Sequence, residues 1–210
     1  MGNTYVYIVG NSVYINLTNR CSNKCEFCVR YYDKPIYGDL WINDEPSAAD
    51  VINILKNEYD LSKFKDVVFC GFGEPTYRFD AIKEIANYVH SQGAKTRINT
   101  NGQGSIINGR DISKEMVECI DTINVSLNAT DKYKYDKLCH SIYKLDAFDI
   151  MLDFAKACVE AKGNVILSVV DCIGDEEIKK AQAIADKVGA KLRVRELIED
   201  ESDKWDPKTE

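Results

Sequence analysis

Asp66-Val-Val-Phe-Cys-Gly-Phe-Gly-Glu-Pro-Thr-Tyr-Arg-Phe-Asp80-Ala-Ile-Lys-Glu-Ile-Ala-Asn-Tyr-Val-His90-Ser-Gln-Gly-Ala-Lys95-Thr-Arg-Ile-Asn-Thr100 is the stretch on which the fold turns. Asp66 to Cys70 is a short apolar run of strand-forming residues bounded by Gly71 and Gly73. From about Asp80 the period changes: Ile82, Ile85, Ala86 and Val89 fall on one helical face, the helix runs to about His90, and Gly93 stops it. Lys95 to Thr100 is the next strand. Strand, helix and strand in succession make a β/α unit, because parallel strands need a crossover and the helix supplies it.

The unit repeats downstream. Ser113 to Ile120 reads as a short helix, Thr122 to Asn128 as a strand, Asp146 to Lys162 as a helix ended by Gly163, Val165 to Val170 as a strand, Asp175 to Val188 as a helix and Lys191 to Leu197 as a strand. Upstream, Thr4 to Val9 and Val13 to Leu17 form a hairpin around the turn residues Gly10-Asn11-Ser12. A long aromatic-rich loop spans residues 19–46, and Ser47-Ala-Ala-Asp50 opens a helix carrying Val51, Ile52, Ile54 and Leu55. With the first hairpin strand set aside, six strands remain, too few for a closed eight-unit barrel. The prediction is an α/β fold: a six-unit partial parallel barrel with an N-terminal β-hairpin. Residues 1–198 are expected to form a single domain, with 199–210 as a polar tail. Polar residues come late in several strands (Asn99 and Asn101, Ser126 and Asn128, Ser168 and Asp171, Arg193 and Arg195), and ligands of parallel α/β folds sit at the carboxyl ends of strands.

Composition narrows the function classes. The 210 residues are 45% hydrophobic and 29% charged, with 12 Gly and 4 Pro, which fits one globular core and excludes disordered and collagen-like chains. No apolar run reaches the roughly 18 residues that a membrane span requires. The start Met1-Gly2-Asn3-Thr4-Tyr5-Val6 lacks the cationic region of a secretory leader and the Ser or Thr at position 6 that myristoylation uses, so a cytosolic location is expected. A net charge of −7 argues against a bare electrostatic grip on polyphosphate, though not against a nucleic-acid substrate. In a reducing compartment, close-set cysteines more often bind metal than form disulfides.

Cys21-Ser-Asn-Lys-Cys25-Glu-Phe-Cys28 puts three thiols on the loop after the second hairpin strand. Two of them suffice for a disulfide, three with a distant fourth ligand suffice for tetrahedral zinc, and three alone suit an iron-sulfur cubane that leaves one iron open. His140, the obvious fourth candidate for zinc, reads better as a structural helix residue.

The CxxxCxxC spacing with Phe27 before its last cysteine resembles the signature of the radical S-adenosylmethionine (radical SAM) superfamily. Cys70-Gly-Phe-Gly-Glu-Pro75 resembles that family's Gly-Gly-Glu motif, with a Gly-Phe-Gly departure. Asn16 to Cys25, Gly71 to Thr76, Asn99 to Gly102, Val125 to Ala129, Ser168 to Asp171 and Leu192 to Glu196 are similar to the small radical SAM proteins named for linkage to the TatD nuclease, across nearly the whole chain.

The resemblance implies a partial TIM-type barrel and an oxidoreductase or lyase with two cofactors. Cys21, Cys25 and Cys28 hold three irons of one [4Fe-4S] cluster, and the amino and carboxylate groups of S-adenosylmethionine chelate the fourth. Reductive cleavage then yields methionine and a 5′-deoxyadenosyl radical for hydrogen abstraction, with no catalytic residue beyond cluster and cofactor. By the same resemblance Gly71 and Gly73 let the backbone approach the methionine end, and Glu74 receives its ammonium. Asn99 matches a position near the amino group, Ser126 and Asn128 match positions that reach the ribose or carboxylate, Ser168 also faces the cofactor, and Phe27 offers its backbone to the adenine. Arg195, with Arg193, is a carboxylate or phosphate clamp for cofactor or substrate. The expected partners are S-adenosylmethionine, a one-electron donor such as flavodoxin or ferredoxin, no membrane, and a substrate, bulky (peptide, protein or nucleic acid) or small, that enters the open barrel. The alternative is a zinc- or cluster-bearing binding module without catalysis, which has no use for Glu74, Ser126 and Asn128.

Weaker signals have ordinary readings beside the functional ones. Tyr31, Tyr32, Tyr37 and Trp41 shield the cluster or simply pack the loop, and Lys132-Tyr-Lys-Tyr-Asp-Lys137 is a solvated helix face rather than a single-strand binder. Of the other cysteines, Cys119 and Cys158 sit among apolar helix residues, Cys139 completes the set, and Cys70 and Cys172 near strand ends are the two expected to face the cleft. No two of these five are closer than 14 residues, so the chain lacks the clustered pairs from which a second cluster draws ligands. Iron and sulfide analysis after anaerobic reconstitution is expected to give about four of each per chain; about eight of each would reveal a second cluster.

Overall fold

The computed structural model describes residues 3–31 and 38–197, so Tyr32, Tyr37 and the predicted tail lie outside the described residues. Seven strands form one sheet in sequence order: β1 Val6–Val9, β2 Ser12–Ile15, β3 Val67–Phe69, β4 Thr96–Thr100, β5 Thr122–Ser126, β6 Val165–Val170 and β7 Lys191–Arg195. β1 and β2 pair antiparallel across a turn in which Gly10 takes a φ of 60°, a left-handed value that glycine adopts without steric cost. Every later pairing is parallel, from Val13 opposite Val67 to Val170 opposite Arg195. β1 and β7 are the two edges, so the sheet is not closed, and the predicted six-unit partial barrel with an N-terminal hairpin is the architecture observed.

The helices are α1 Ala48–Glu58, α2 Phe79–Ser91, α3 Gly104–Ile107, α4 Ser113–Cys119, α5 Lys132–Cys139, α6 Asp146–Glu160 and α7 Asp175–Val188. α1 starts at the capping box read from the sequence, with Ser47 and Asp50 each satisfying the other's backbone amide. The helix read at Lys132–Cys139 is present, capped by Asp131, and beyond the solvated face expected of it, it buries Tyr135 and Cys139 while leaving Tyr133 in solvent. None of the described helices is long and apolar enough to cross a membrane.

The sheet has two chemically distinct faces. Val13, Ile15, Val67, Phe69, Ile98, Ile123, Val125, Val165, Leu167 and Val169 are buried in one apolar core with residues of the surrounding helices such as Leu55, Ile82, Val89, Met116, Met151 and Phe154. The register puts Tyr14, Val68, Arg97, Asn99, Asn124, Ser126, Ser168, Arg193 and Arg195 on the opposite face, because side chains alternate along each strand and paired residues project together. That face is polar, which departs from the branched aliphatic filling of a closed barrel and marks the open side as a ligand surface.

At its amino-terminal end Arg97 pairs with Asp66 at 2.9 Å and Asp66 also accepts from Ser12. Burial alone would raise the Asp66 carboxyl, but the Arg97 and Ser12 hydrogen bonds more than offset it and hold it below its ordinary value. A depressed folded-state value means the pair stabilises the fold above the unfolded carboxylate range near about 3.9 and loses that contribution as pH falls through the folded value. Asp66→Asn is expected to lower stability by about 1.5–3 kcal/mol at neutral pH. In thermal unfolding followed from about pH 6 to about pH 3, the gap between wild type and variant should close at the acid end.

Candidate active site

The three-cysteine loop leaves the carboxyl end of β2 and is held from both sides by backbone. Glu74 N donates to Arg20 O at 2.8 Å on one side; on the other, Lys24 N donates to Cys139 O at 2.9 Å and Glu26 N to Leu138 O at 3.1 Å. A Cβ on Gly73 would stand 2.2 Å from Thr18 O and 2.6 Å from Arg20 O, and one on Gly71 would stand 2.0 Å from Asn16 Oδ1. Both positions therefore need glycine for close approach to this loop. Arg30 ties the far end by donating to Asn19 O and Phe72 O, and its guanidinium stacks 4.7 Å from the Trp41 ring, which packs on Phe72. Trp41 and Tyr31 thus fold over the loop rather than standing apart from it, and Phe27 is half-buried between the last two cysteines.

Cys21, Cys25 and Cys28 are free, half-buried thiols. Burial and the charge of Glu74 push Cys21 up to about 12; a hydrogen bond with the Cys139 thiol, then burial, raises Cys25; burial raises Cys28. The thiols therefore hold their protons at neutral pH and must release them to bind metal. Among the described residues no three His, Cys, Asp or Glu side chains converge on a single ion. His140, in a left-handed conformation after α5, lies 3.1 Å from Glu26 and away from any such set.

Glu74 is 3% exposed and caps a 3₁₀ turn at Pro75–Arg78. Its Oε1 accepts from Thr76 N, Thr76 Oγ1 and Thr100 Oγ1, and its Oε2 from Asn101 N at 2.7 Å. All four donors are neutral, and burial raises the carboxyl despite them. Oε1 thus receives three donors and Oε2 one, so Oε2 is the less saturated oxygen.

The carboxyl ends of β5 to β7 carry polar atoms that find no partner. Asn124 Oδ1, Asn128 Oδ1, Ser168 Oγ and Arg195 Nε are all buried and unpaired among the described residues. Burial, opposed by the nearby Cys70 and reinforced by the charge of Arg193, lowers the Arg195 guanidinium. No ion pair joins Arg193 or Arg195 to Glu196 among the described residues. The strand that was to alternate Ser126 and Asn128 on one face ends at Ser126: Leu127 N and Asn128 N both donate to Ser168 O, and Asn128 turns to a φ of 56°. Asn128 is therefore aimed by a left-handed turn, which buries it, while Ser126 stays half-exposed. Asn99 sits on the same sheet face, where it accepts from Arg97 and Asn124 and donates toward Cys70. A 290 Å³ cleft opens beside these ends, lined by Asn128, Leu138, Cys172, Glu26 and Glu177. A larger 430 Å³ recess lies between Ser47, Arg78 and Asp80.

Cys119 and Cys158 are buried as read, and Cys70 and Cys172 are half-buried near their strand ends. The expectation for the cleft omitted Cys139, which is fully buried against Cys25. Behind the loop, sequence reasoning also missed a buried network. Asn23 Nδ2 donates to Tyr135 OH at 3.1 Å, Gln103 Nε2 donates to Asn23 Oδ1 at 3.0 Å, Ser141 Oγ donates to Gln103 Oε1, and Asn101 Nδ2 donates to Ser22 Oγ at 2.8 Å. The one local signal was Tyr135 and Cys139 four residues apart behind a capping aspartate, which places both on one helix face.

The sequence model of the radical SAM superfamily matches residues 15–188. The chain belongs to the radical SAM superfamily. This is a superfamily of enzymes that use a [4Fe-4S] cluster and S-adenosylmethionine, the cofactor pair anticipated from the three-cysteine loop. A probable GTP 3′,8-cyclase of Methanopyrus kandleri is 30% identical over 190 residues, which is 88% of this radical SAM chain but 56% of that relative, so the chain spans about half of it. The structure of Streptococcus suis SuiB bound to S-adenosylmethionine superposes with a TM-score of 0.69 at 21% identity, over 90% of this chain and 41% of that one. Native anSMEcpe with bound AdoMet gives 0.66 at 14% identity, over 93% of this chain and 54% of that one. These superpositions show the shared radical SAM fold.

Removing one hydroxyl tests whether the buried network sets the loop. Tyr135→Phe leaves the Asn23 amide without its acceptor and is expected to cost about 1–3 kcal/mol in denaturant unfolding. Unchanged stability would show that the Asn23–Tyr135 hydrogen bond does not help to hold the loop.

Proposed function

We propose that Cys21, Cys25 and Cys28 hold three irons of one [4Fe-4S] cluster and that Glu74, Asn99, Ser126, Asn128, Ser168 and Arg195 bind S-adenosylmethionine beside it. The observation that carries the reading is a buried carboxylate and a half-buried guanidinium near the carboxyl ends of the strands, neither with an opposite charge among the described residues: Glu74 is met only by neutral donors, and the buried Arg195 Nε by none. Both are near enough to Cys70 to act on it electrostatically. Burying an unpaired ion is costly, and a zwitterionic amino-acid end satisfies both at once, its ammonium on Glu74 Oε2 and its carboxylate on Arg195. The orphaned Asn128 Oδ1 and Ser168 Oγ suit the remaining polar groups of the cofactor. Phe27 offers its backbone to the adenine, while Gly71 and Gly73 contribute by letting the cysteine loop lie against the Glu74 turn.

When bound, the pair supplies reductive cleavage of the sulfonium to methionine and a 5′-deoxyadenosyl radical that abstracts hydrogen from substrate. The chain's own part is to bind, to orient and to keep water out. The gap between β1 and β7 admits the substrate from the side, which suits a peptide, protein or nucleic acid. The motif likeness to the TatD-linked proteins supports an enzyme of that group, working in the cytosol with a flavodoxin- or ferredoxin-type electron donor.

Anaerobically reconstituted, dithionite-reduced protein is expected to release methionine and 5′-deoxyadenosine, and Cys25→Ala to release neither; a colourless, zinc-loaded protein would return the chain to the binding-module reading. Ser168→Ala should leave the melting temperature unchanged, because an unpaired buried hydroxyl contributes nothing to the fold by itself, yet weaken S-adenosylmethionine binding by roughly 3- to 10-fold. Glu74→Gln should weaken binding and also lower the melting temperature, since it replaces one acceptor oxygen with an amide donor facing donors. For the substrate, GTP is the first to try, with deuterium transfer into 5′-deoxyadenosine as the readout.

A further inference from the structure

We infer that Lys191 and Arg193 on the edge strand β7 form a subsite for the phosphate groups of a nucleotide substrate, with Asn124 accepting from its sugar or base. The inference rests on the proposed function and deepens it, naming the substrate class for the same site.

β7 reads Lys191-Leu-Arg-Val-Arg195, a cation at every second position. Side chains alternate along a strand, so all three cations lie on one face, the polar face that also carries Asn124 and Ser168. Leu192 turns the other way and packs against the core. Arg195 stands at the carboxyl end of the strand, where the cofactor carboxylate is proposed to sit. Lys191 and Arg193 lie toward the other end, exposed and about 6.6 Å apart along the strand, and neither makes a hydrogen bond or ion pair among the described residues.

The whole chain carries a net charge of −7, so this row of unpaired cations runs against its overall charge and is a local attractor for anions. Asp66, at the amino-terminal end of the same face, is already engaged by Arg97 and Ser12. β7 is one edge of the open sheet, so the row also borders the gap through which substrate is proposed to enter. An ammonium and a guanidinium in line suit linked phosphates, which arginine meets with paired N–H groups, whereas a lone carboxylate needs only one of them.

Asn124 faces the same space from β5. It is 5% exposed, its Nδ2 donates to Asn99, and its Oδ1 is buried without a partner. The proposed cofactor contacts leave that oxygen unused. Through Ile166 the register sets Asn124 and Lys191 in one row, two strands and roughly 10 Å apart. An ionised phosphate chain has no proton to give the oxygen, but a ribose hydroxyl or a base amino group has, and a nucleotide spans the distance.

The test measures binding to the anaerobically reconstituted full chain by isothermal titration calorimetry, with S-adenosylmethionine present and no reductant. The probes are GTP, guanosine and inorganic tripolyphosphate. GTP and tripolyphosphate are expected to bind saturably, and guanosine roughly tenfold or more weaker than GTP. Arg193→Gln and Lys191→Gln should each weaken GTP and tripolyphosphate by roughly 3- to 10-fold. Neither should move the melting temperature or the affinity for S-adenosylmethionine, since exposed unpaired side chains add little to the fold. Asn124→Ala should weaken GTP but not tripolyphosphate. Wild-type affinity for both phosphate probes in a chain carrying Lys191→Gln with Arg193→Gln, guanosine bound as tightly as GTP, or no saturable binding of any probe overturns the subsite. Wild-type GTP affinity in Asn124→Ala overturns the part given to Asn124. A single-stranded oligonucleotide that binds through Lys191 and Arg193 where tripolyphosphate does not overturns the nucleotide as occupant. A chain that holds tripolyphosphate through them yet neither loads a cluster nor binds S-adenosylmethionine would overturn the proposed function and leave the phosphate subsite standing.

Discussion

The backbone clasp on the three-cysteine loop is the constraint from which the rest of the site follows. One side of the loop is gripped at Arg20 O by the amide of Glu74, the other at the amides of Lys24 and Glu26 by the carbonyls that end α5. Gly71 and Gly73 allow the first grip because any Cβ would collide with Asn16, Thr18 or Arg20. The second depends on α5 being docked, which Tyr135 achieves through the buried network of Asn23, Gln103 and Ser141. Ligand spacing in sequence thus becomes ligand position in space through two neighbouring segments, not through the loop itself.

Polarity is distributed across the sheet with the same economy of direction. Helices cover one face and bury its aliphatic side chains; the other face keeps Arg97, Asn99, Asn124, Ser168 and Arg195. At the amino-terminal end the charges cancel within the chain, Arg97 against Asp66. Toward the carboxyl end they do not, since the buried Glu74 and the half-buried Arg195 lack opposite charges and Asn128 Oδ1 and Ser168 Oγ are orphaned. A folded chain tolerates such groups where a ligand satisfies them.

Much of this was legible beforehand. The alternation of strand and helix periods is a local property of the chain, so the β/α units, their order and the open six-unit count follow from residue spacing. Gly93, with a φ of 73°, and the Ser47 capping box stand where the pattern placed them, because turn and cap chemistry is decided within a few residues.

Tertiary structure decided what each polar residue faces. Ser126 and Asn128 look alike as alternating strand residues, yet pairing of two successive amides with Ser168 O ends the strand between them and turns Asn128 into a buried left-handed position. Glu74 reads as a ligand residue in sequence and also proves to be the acceptor that joins Thr76, Thr100 and Asn101. Cys139, over 100 residues from Cys25, carries no local mark of its place beside it. Spacing along a chain fixes which side chains share an element's face, but a hydrogen bond between elements depends on how those elements dock, and that is set by the packing of the whole core.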